Sequence, residues 1–439
     1  MAERYRLAGR TATEILASLE ATVRDGGLVA GDLVPTVRAL ADQLGVAPGT
    51  VASAYRTAQQ RGLIETHGRN GTRVRARPAL GARSGGSAVP EGVVDLASGQ
   101  PSAALLPRLD PARLGWTRAA APDEMVLPEL TELARDRLAA DGVPAEHLTL
   151  AGGGLDAIRR VLAARVAPGD AVAVEDPGWP NLLDLVASAG LRALPMSVDP
   201  SGPVPASLAG ALRNGARAVV VTSRAQNPTG AYVTADRAAA LRRVLAEHPE
   251  VLVVEDDHAA ELAGVPLAGL AGATGAWAFV RSLSKPYGPD LRLAVLAGDE
   301  STVARVEGQL RIGSGWVSTL LQRAAVALWS DPDVVEVVGT AARAYDARRD
   351  ALLAALAAAG LPALGATGLN VWVPVPDEAR VVADLLAAGW AVAPGQRFRQ
   401  RPGSAVRVTV SHLEPERVDE LVRVLRSASR GRAGGPVTA

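Results

Sequence analysis

Lysine is nearly absent from this chain, and cysteine is absent altogether. Zero cysteines exclude disulfides and thiolate chemistry. The five histidines, His67, His147, His248, His258 and His412, show no metal-ligand spacing. No apolar run reaches the roughly 20 residues of a membrane span, and the N-terminus carries no signal-peptide pattern, so a cytoplasmic protein is expected. Of the 46 basic residues, 45 are arginine and one is lysine, Lys285. Arginine replaces lysine for solubility, salt bridges and most phosphate contacts. It cannot form a Schiff base, because its guanidinium keeps its proton, whereas a desolvated lysine amine sheds one. A lone lysine set between Ser282, Ser284 and Arg292 therefore points to an aldehyde cofactor that carries a phosphate.

What is present divides unevenly. At 439 residues with 48% hydrophobic composition, the chain suits about three domain-sized units, or a small module on a large one. Residues 1–77 hold 11 arginines against 7 acidic residues, a net of +4, and the remainder carries −4. A basic head on a mildly acidic body suits an anionic partner for the head.

The head has a recognisable order of elements. Ile15, Leu16, Leu19 and Val23 space an amphipathic helix over about 11–25. Thr36 is placed to cap a second helix through Leu44, and Leu44-Gly45-Val46 makes a tight turn. Pro48 opens a third helix that puts Val51, Ala54, Tyr55 and Ala58 on one face and leaves Thr50, Ser53 and Arg56 outside. Two short extended runs, 63–66 and 72–75, flank Asn70-Gly71, a hairpin signal. Three helices and a basic hairpin make a winged helix-turn-helix, expected to bind double-stranded promoter DNA with its third helix in the major groove. Arg38, Arg69 and Arg73 are the candidate phosphate contacts, and Thr50 and Ser53 the candidate base contacts.

The expected boundaries are a DNA-binding head over 1–75, a flexible Pro/Gly/Ser-containing linker over 76–92, an α/β body over 93–427 and a disordered tail over 428–439. In the body, β-branched runs such as Ala171–Glu175, Ala218–Thr222 and Val251–Glu255 alternate with Ala/Leu/Arg helical stretches, the pattern of a parallel sheet.

Four further stretches fit a pocket for pyridoxal 5'-phosphate. Gly153, Gly154 and Leu155 open a helix whose free N–H groups can hold a phosphate; a plain turn is the simpler alternative. Trp179 offers a flat partner for a pyridine ring, or is core. Asn227, in Asn-Pro-Thr-Gly, puts an amide near the cofactor's phenolate oxygen. Asp256 ends a strand where it can keep a pyridine nitrogen protonated, or merely cap the next helix. Ser282, Ser284 and Arg292 suit the phosphate. Arg407, alone on an alternating strand, can grip a ligand carboxylate or be a surface charge.

Asn227-Pro228-Thr229-Gly230, Ser282-x-x-Lys285 and Arg292, in that order, resemble the fold-type-I aminotransferases over about 93–427. The head, with Gly31-Asp32, Pro35-Thr36-Val37-Arg38, Leu44-Gly45-Val46 and Gly62-Leu63-Ile64, resembles the GntR type. Together the chain is similar to the MocR-family transcription regulators, and its Asp256-Asp257-His258 wording is most similar to a pyridoxal phosphate-sensing member. The resemblance implies that Lys285 is the Schiff-base lysine, Asp256 the partner of the ring nitrogen, Asn227 the O3′ donor, Trp179 the stacking ring and Arg407 the carboxylate clamp. It also implies a homodimer.

Two departures from the aminotransferase pattern weaken the case for full transamination more than the case for cofactor binding. His258 stands where a tyrosine usually lies near the O3′ and the lysine, and Ala121-Pro122-Asp123-Glu124-Met125-Val126 lacks the usual tyrosine that reaches the partner's phosphate. The expected function is thus a regulator with pyridoxal phosphate as effector, with or without an amino acid as co-effector, acting on vitamin B6-related genes with little or no transaminase turnover. Its rivals are an active aminotransferase with an N-terminal extension and a DNA-binding protein with a cofactor-free body.

Overall fold

The computed structural model describes residues 7–25, 27–60, 63–66, 71–74, 89–115 and 124–430. The head begins with α1 (Ala12–Arg24), where the Thr11 hydroxyl accepts from the Glu14 N–H at 3.2 Å and the Glu14 carboxylate reaches back to the Thr11 N–H. Helix α2 (Val37–Leu44) starts at Thr36, whose hydroxyl accepts from the Ala39 N–H, and stops at Gly45 with a left-handed φ of 64°. Helix α3 (Pro48–Gln60) buries Val51, Ala54, Tyr55 and Ala58 against Ile15, Leu16 and Leu19 of α1. Strands β1 (Ile64–Thr66) and β2 (Thr72–Val74) pair antiparallel, Ile64 opposite Val74. The hairpin tip 67–70, and with it Arg69, lies outside the described residues.

The body has two lobes. The large one is an eight-stranded sheet of β4 (Leu148–Ala151), β5 (Ala171–Asp176), β6 (Arg192–Asp199), β7 (Gly202–Pro203), β8 (Ala216–Thr222), β9 (Leu252–Asp257), β10 (Ala276–Ser282) and β11 (Ala294–Gly298). Their order is β4-β11-β10-β9-β8-β5-β6-β7. Strands β10, β9, β8, β5 and β6 run parallel, while β11 is antiparallel to both neighbours. Every residue of β5 and β9 is buried, as a sheet covered by helices on both faces requires. Two separate apolar clusters, one around Phe279 and Leu241 and the other around Ile158 and Val161, form those faces.

The small lobe is a four-stranded sheet in which β3 (Val94–Leu96) forms one edge beside β13 (Trp390–Pro394), followed by β14 (Ala405–Thr409) and β12 (Asn370–Pro374). Its core gathers around Trp390, Val371 and Leu421. A 27-residue helix, Pro332–Ala358, ties the lobes together: Val338 and Tyr345 sit in the large core, Leu352 and Leu356 in the small one.

The last helix runs Val418–Ser429, so ordered structure continues past the expected limit at 427: Leu425 and Ala428 still pack in the small core, which holds the helix to its end. The expected linker, 76–92, falls outside the described residues up to 88. Among the described residues no helix is long and apolar enough to cross a membrane.

Candidate functional site

In an open parallel sheet, helices and loops leave the carboxyl ends of the strands together, and the crevice there collects their side chains. Five strands deliver residues to one such edge. Strand β4 leads to Gly154 and Leu155, β5 to Trp179, β8 to Asn227, β9 to Asp256 and His258, and β10 to Ser282, Ser284 and Lys285. Because β11 runs the other way, Arg292, just before it, arrives at the same edge, where Ala294 pairs with Ser282. Strand β14 of the small lobe adds Arg407. All of these line a single cavity of about 370 Å³.

One end of the cavity suits a phosphate. Helix α4 (Pro128–Ala140) precedes β4, and α5 (Gly154–Arg165) follows it with its N-terminus at the cavity. Gly153, the residue before α5, is not among the lining residues, but its place is constrained: φ is 107°, and a Cβ there would come within 2.5 Å of Arg292 Nη2. Arg292 donates to the Gly152 carbonyl at 3.2 Å and to Ser284 Oγ at 3.4 Å. A helix start, two hydroxyls and an arginine fork are donors for a dianion.

The centre holds an acid with one oxygen left unpartnered. Asp256 is 4% exposed, and its Oδ1 has no hydrogen-bond partner. His258 Nδ1 lies 3.6 Å from Oδ2, too far for a hydrogen bond. Its neighbour Asp257 points to the opposite face of β9 and is locked by Arg224 at 2.7 and 2.9 Å and by Arg281 at 2.8 and 3.0 Å, which hold its carboxyl below the usual range despite full burial. A buried carboxylate oxygen without a donor is costly, and a protonated ring nitrogen would satisfy it. The residues present therefore fit pyridoxal phosphate. Trp179 packs partly on the core and partly lines the cavity.

Lys285 donates to the Gly99 carbonyl at 2.5 Å and to Gln100 Oε1 at 3.1 Å. Burial, and secondarily the Arg407 charge, push its amine down to about 8. Arg407 is no surface charge: it is 5% exposed, and desolvation lowers it to about 10, with Asp95 opposing and Arg397 reinforcing the shift. It donates to Asn227 Oδ1 at 3.1 Å and to the Ala97 carbonyl, and its guanidinium lies 4.9 Å from the Phe398 ring centre. With its oxygen accepting from Arg407, what Asn227 has left to offer is a donor, its amide nitrogen.

The sequence reading missed the frame behind these groups. Buried Glu175, pushed up to about 7 by desolvation, accepts from the Thr222 N–H at 3.0 Å, the Thr222 hydroxyl at 2.8 Å and Gln226 Nε2 at 3.1 Å. Gln226 also donates to the Pro177 carbonyl at 2.8 Å and accepts from Thr229. The loops carrying Trp179 and Asn227 are thus knotted together beneath the cavity. Two polar residues directly before a Pro-containing strand end were the available signal. Gly99, Gln100, Asn370 and Arg397, all lining the cavity, left none, because they arrive from distant segments. Among the described residues no group of His, Cys, Asp and Glu could hold a metal.

In the head, Arg38 is exposed at the start of α2, while Thr50 and Ser53 are half-buried on α3. Arg73 is half-buried and donates to the Gly31 carbonyl at 2.7 Å, so it braces the wing before it meets any phosphate.

The model for aminotransferase class I and II matches residues 91–425, and that for bacterial regulatory proteins of the gntR family matches residues 11–74. The vitamin B6 salvage pathway transcriptional repressor PtsJ of Salmonella typhimurium is 39% identical over 426 residues, 96% of this chain and 99% of the relative. The pyridoxine biosynthesis regulator PdxR of Corynebacterium glutamicum is 30% identical over 58% of each chain. Pyrococcus horikoshii kynurenine aminotransferase superposes with a TM-score of 0.71 at 20% identity, over 79% of this chain and 92% of its own, which carries the fold alone. With a DNA-binding GntR head joined to a class I and II aminotransferase domain, the chain belongs to the MocR-type transcriptional regulators.

Proposed function

We propose that the body binds pyridoxal phosphate as an effector and that its occupancy changes how the head engages promoter DNA, for genes of vitamin B6 salvage. The observation that carries this reading is the buried, unpartnered Asp256 Oδ1 in the cavity that also holds the lone lysine. The PtsJ and PdxR relatives, named for vitamin B6 salvage and pyridoxine biosynthesis, support the choice of genes.

When bound, pyridoxal phosphate would supply an aldehyde for an amine and a ring that draws electrons once its nitrogen is protonated. Asp256 would keep that proton on the nitrogen. Lys285 presents an amine lowered to about 8, so far more of it is uncharged near neutral pH than of an ordinary lysine. Ser282, Ser284, Arg292 and the start of α5 would hold the phosphate, Trp179 the ring face and Asn227 the O3′. Arg407 has room in its donor set for a carboxylate, which keeps an amino-acid co-effector and slow transamination in play as a second reading. His258, 3.6 Å from Asp256, replaces the expected tyrosine and counts against fast turnover. In the head, Arg38, Arg69 and Arg73 are proposed for phosphates and Thr50 and Ser53 for bases, in a homodimer whose two heads read two half-sites.

The test is DNA affinity of the full chain for its own upstream region, with and without pyridoxal phosphate, beside single-turnover conversion to pyridoxamine phosphate across a panel of amino acids. A cofactor-dependent DNA affinity with slow conversion is expected. Rapid conversion with indifferent DNA binding would make the protein an aminotransferase in action. Light scattering at micromolar concentration is expected to show a dimer.

A further inference from the structure

We infer that Gly99 and Gln100 compete with the cofactor aldehyde for the Lys285 amine, and that the segment 97–100 thereby reports the occupancy of the cavity to the edge strand where the linker ends. This rests on the pyridoxal phosphate reading given above.

The segment has few attachments, and the ligand-binding residues are two of them. Asp95 Oδ1 accepts from the Ala97 N–H at 2.8 Å and the Ser98 N–H at 3.0 Å, which fixes its start. The Ser102 N–H donates to Tyr345 Oη at 2.9 Å, which fixes its end. Between these anchors the backbone leans on the cavity: Lys285 donates to Gly99 O and Gln100 Oε1, and Arg407 donates to Ala97 O. Gly99 takes a φ of 68°, and a Cβ there would lie 3.0 Å from both terminal nitrogens of Arg407, so the backbone rests directly against the guanidinium.

Donor counting makes this contact a switch. An ammonium has three N–H groups and a neutral amine two. When the neutral Lys285 amine condenses with an aldehyde, its lone pair forms the new bond to the carbonyl carbon. The carbonyl oxygen departs as water with the two amine hydrogens. The nitrogen afterwards carries at most one hydrogen, taken up from solvent, and that hydrogen lies toward the ligand. Gly99 O and Gln100 Oε1 then lose the donors they had. The same contacts must break before the amine can react, so they oppose binding by the strength of those hydrogen bonds.

The position in the chain gives the loss somewhere to go. Segment 97–100 directly follows β3, an edge strand paired to β13 through three residues, Val94, Asp95 and Leu96. In sequence, β3 directly follows the linker from the DNA-binding head. Loosening of 97–100 therefore acts on β3, the first strand of the body among the described residues.

The experiment is hydrogen exchange of the full chain with and without pyridoxal phosphate, with the near-visible absorption band monitoring occupancy. It is run on the unmodified protein and on Gln100→Ala, an exposed position where folding is not at stake. Peptides spanning 94–102 are expected to exchange several-fold faster once the band forms. Gln100→Ala is expected to bind pyridoxal phosphate roughly threefold to tenfold more tightly, the effect of removing one competing hydrogen bond. A full band with unchanged or slower exchange across 94–102, or weaker binding by Gln100→Ala, overturns the inference alone. No band at any concentration removes the pyridoxal phosphate reading and this inference with it.

Discussion

Arg38 in the head stands in solvent, whereas Arg407 in the body is 5% exposed and lowered to about 10 by desolvation. The same side chain sits in two environments, each suited to a different kind of recognition. An exposed arginine opposite a polyanion contributes through long-range attraction and counterion release, is screened by salt, and adds to its neighbours nearly independently. A buried one acts at short range through a few fixed hydrogen bonds, is little screened, and depends on every group it touches. The head should accordingly lose affinity in small steps and respond to salt. The body should fail by whole functions and respond to pH.

The sharpest contrast is at Lys285. Lys285→Ala is expected to abolish the near-visible band while a residual, non-covalent affinity remains through Ser282, Ser284 and Arg292. An undiminished band in that variant would sink the assignment, since no other lysine exists to replace it.

A smaller loss is expected at Glu175, which touches no ligand. Glu175→Ala removes the acceptor of the Thr222 N–H, the Thr222 hydroxyl and one Gln226 amide hydrogen, and leaves the Trp179 and Asn227 loops tied by the Gln226–Pro177 hydrogen bond alone. Pyridoxal phosphate affinity should drop about tenfold, beside a stability loss of about 1–3 kcal/mol. Unaltered affinity in a folded variant would show that the knot supports the fold and not the site.

The pH response follows from direction and sign. Lys285 in the folded chain titrates at about 8, below its ordinary 10.5, so at subsaturating cofactor the band should grow as pH rises through about 8. Its burial costs stability most below pH 8, and that cost fades as pH climbs toward 10.5, because the unfolded chain then binds the extra proton. Glu175 and Glu255 act oppositely, both pushed up from 4.5 to about 7 by burial, so stability should decline between those values as pH rises. A band independent of pH between 7 and 9 would mean that the amine is not desolvated as the geometry requires.

The smallest effect belongs to the head. Arg38→Ala should weaken DNA binding roughly threefold to tenfold at moderate salt, for all sequences alike, and flatten the logarithmic salt slope by about one unit. A loss confined to one DNA sequence would instead make Arg38 a base contact.

The amino-acid sequence determined much of this by local rules. Thr36 and Gly45 bracket α2 because a hydroxyl can cap and a glycine can turn left-handed, and neither needs the rest of the molecule. The strand-end motifs were legible because each is a short run with its own turn chemistry, and one lysine in a lysine-poor chain marked a residue that lines the cavity. Tertiary structure alone decided which face each buried group serves. Alternation along β9 sends Asp256 and Asp257 to opposite sides, but only the packing of Arg224 and Arg281 on one side and the cavity on the other leaves Asp256 Oδ1 unpartnered. Arg407 could not be told from a surface charge until the small lobe closed on it. Gly99 and Gln100, 186 and 185 residues from Lys285, meet its amine only through the fold, since local sequence carries no record of contacts made at such separation.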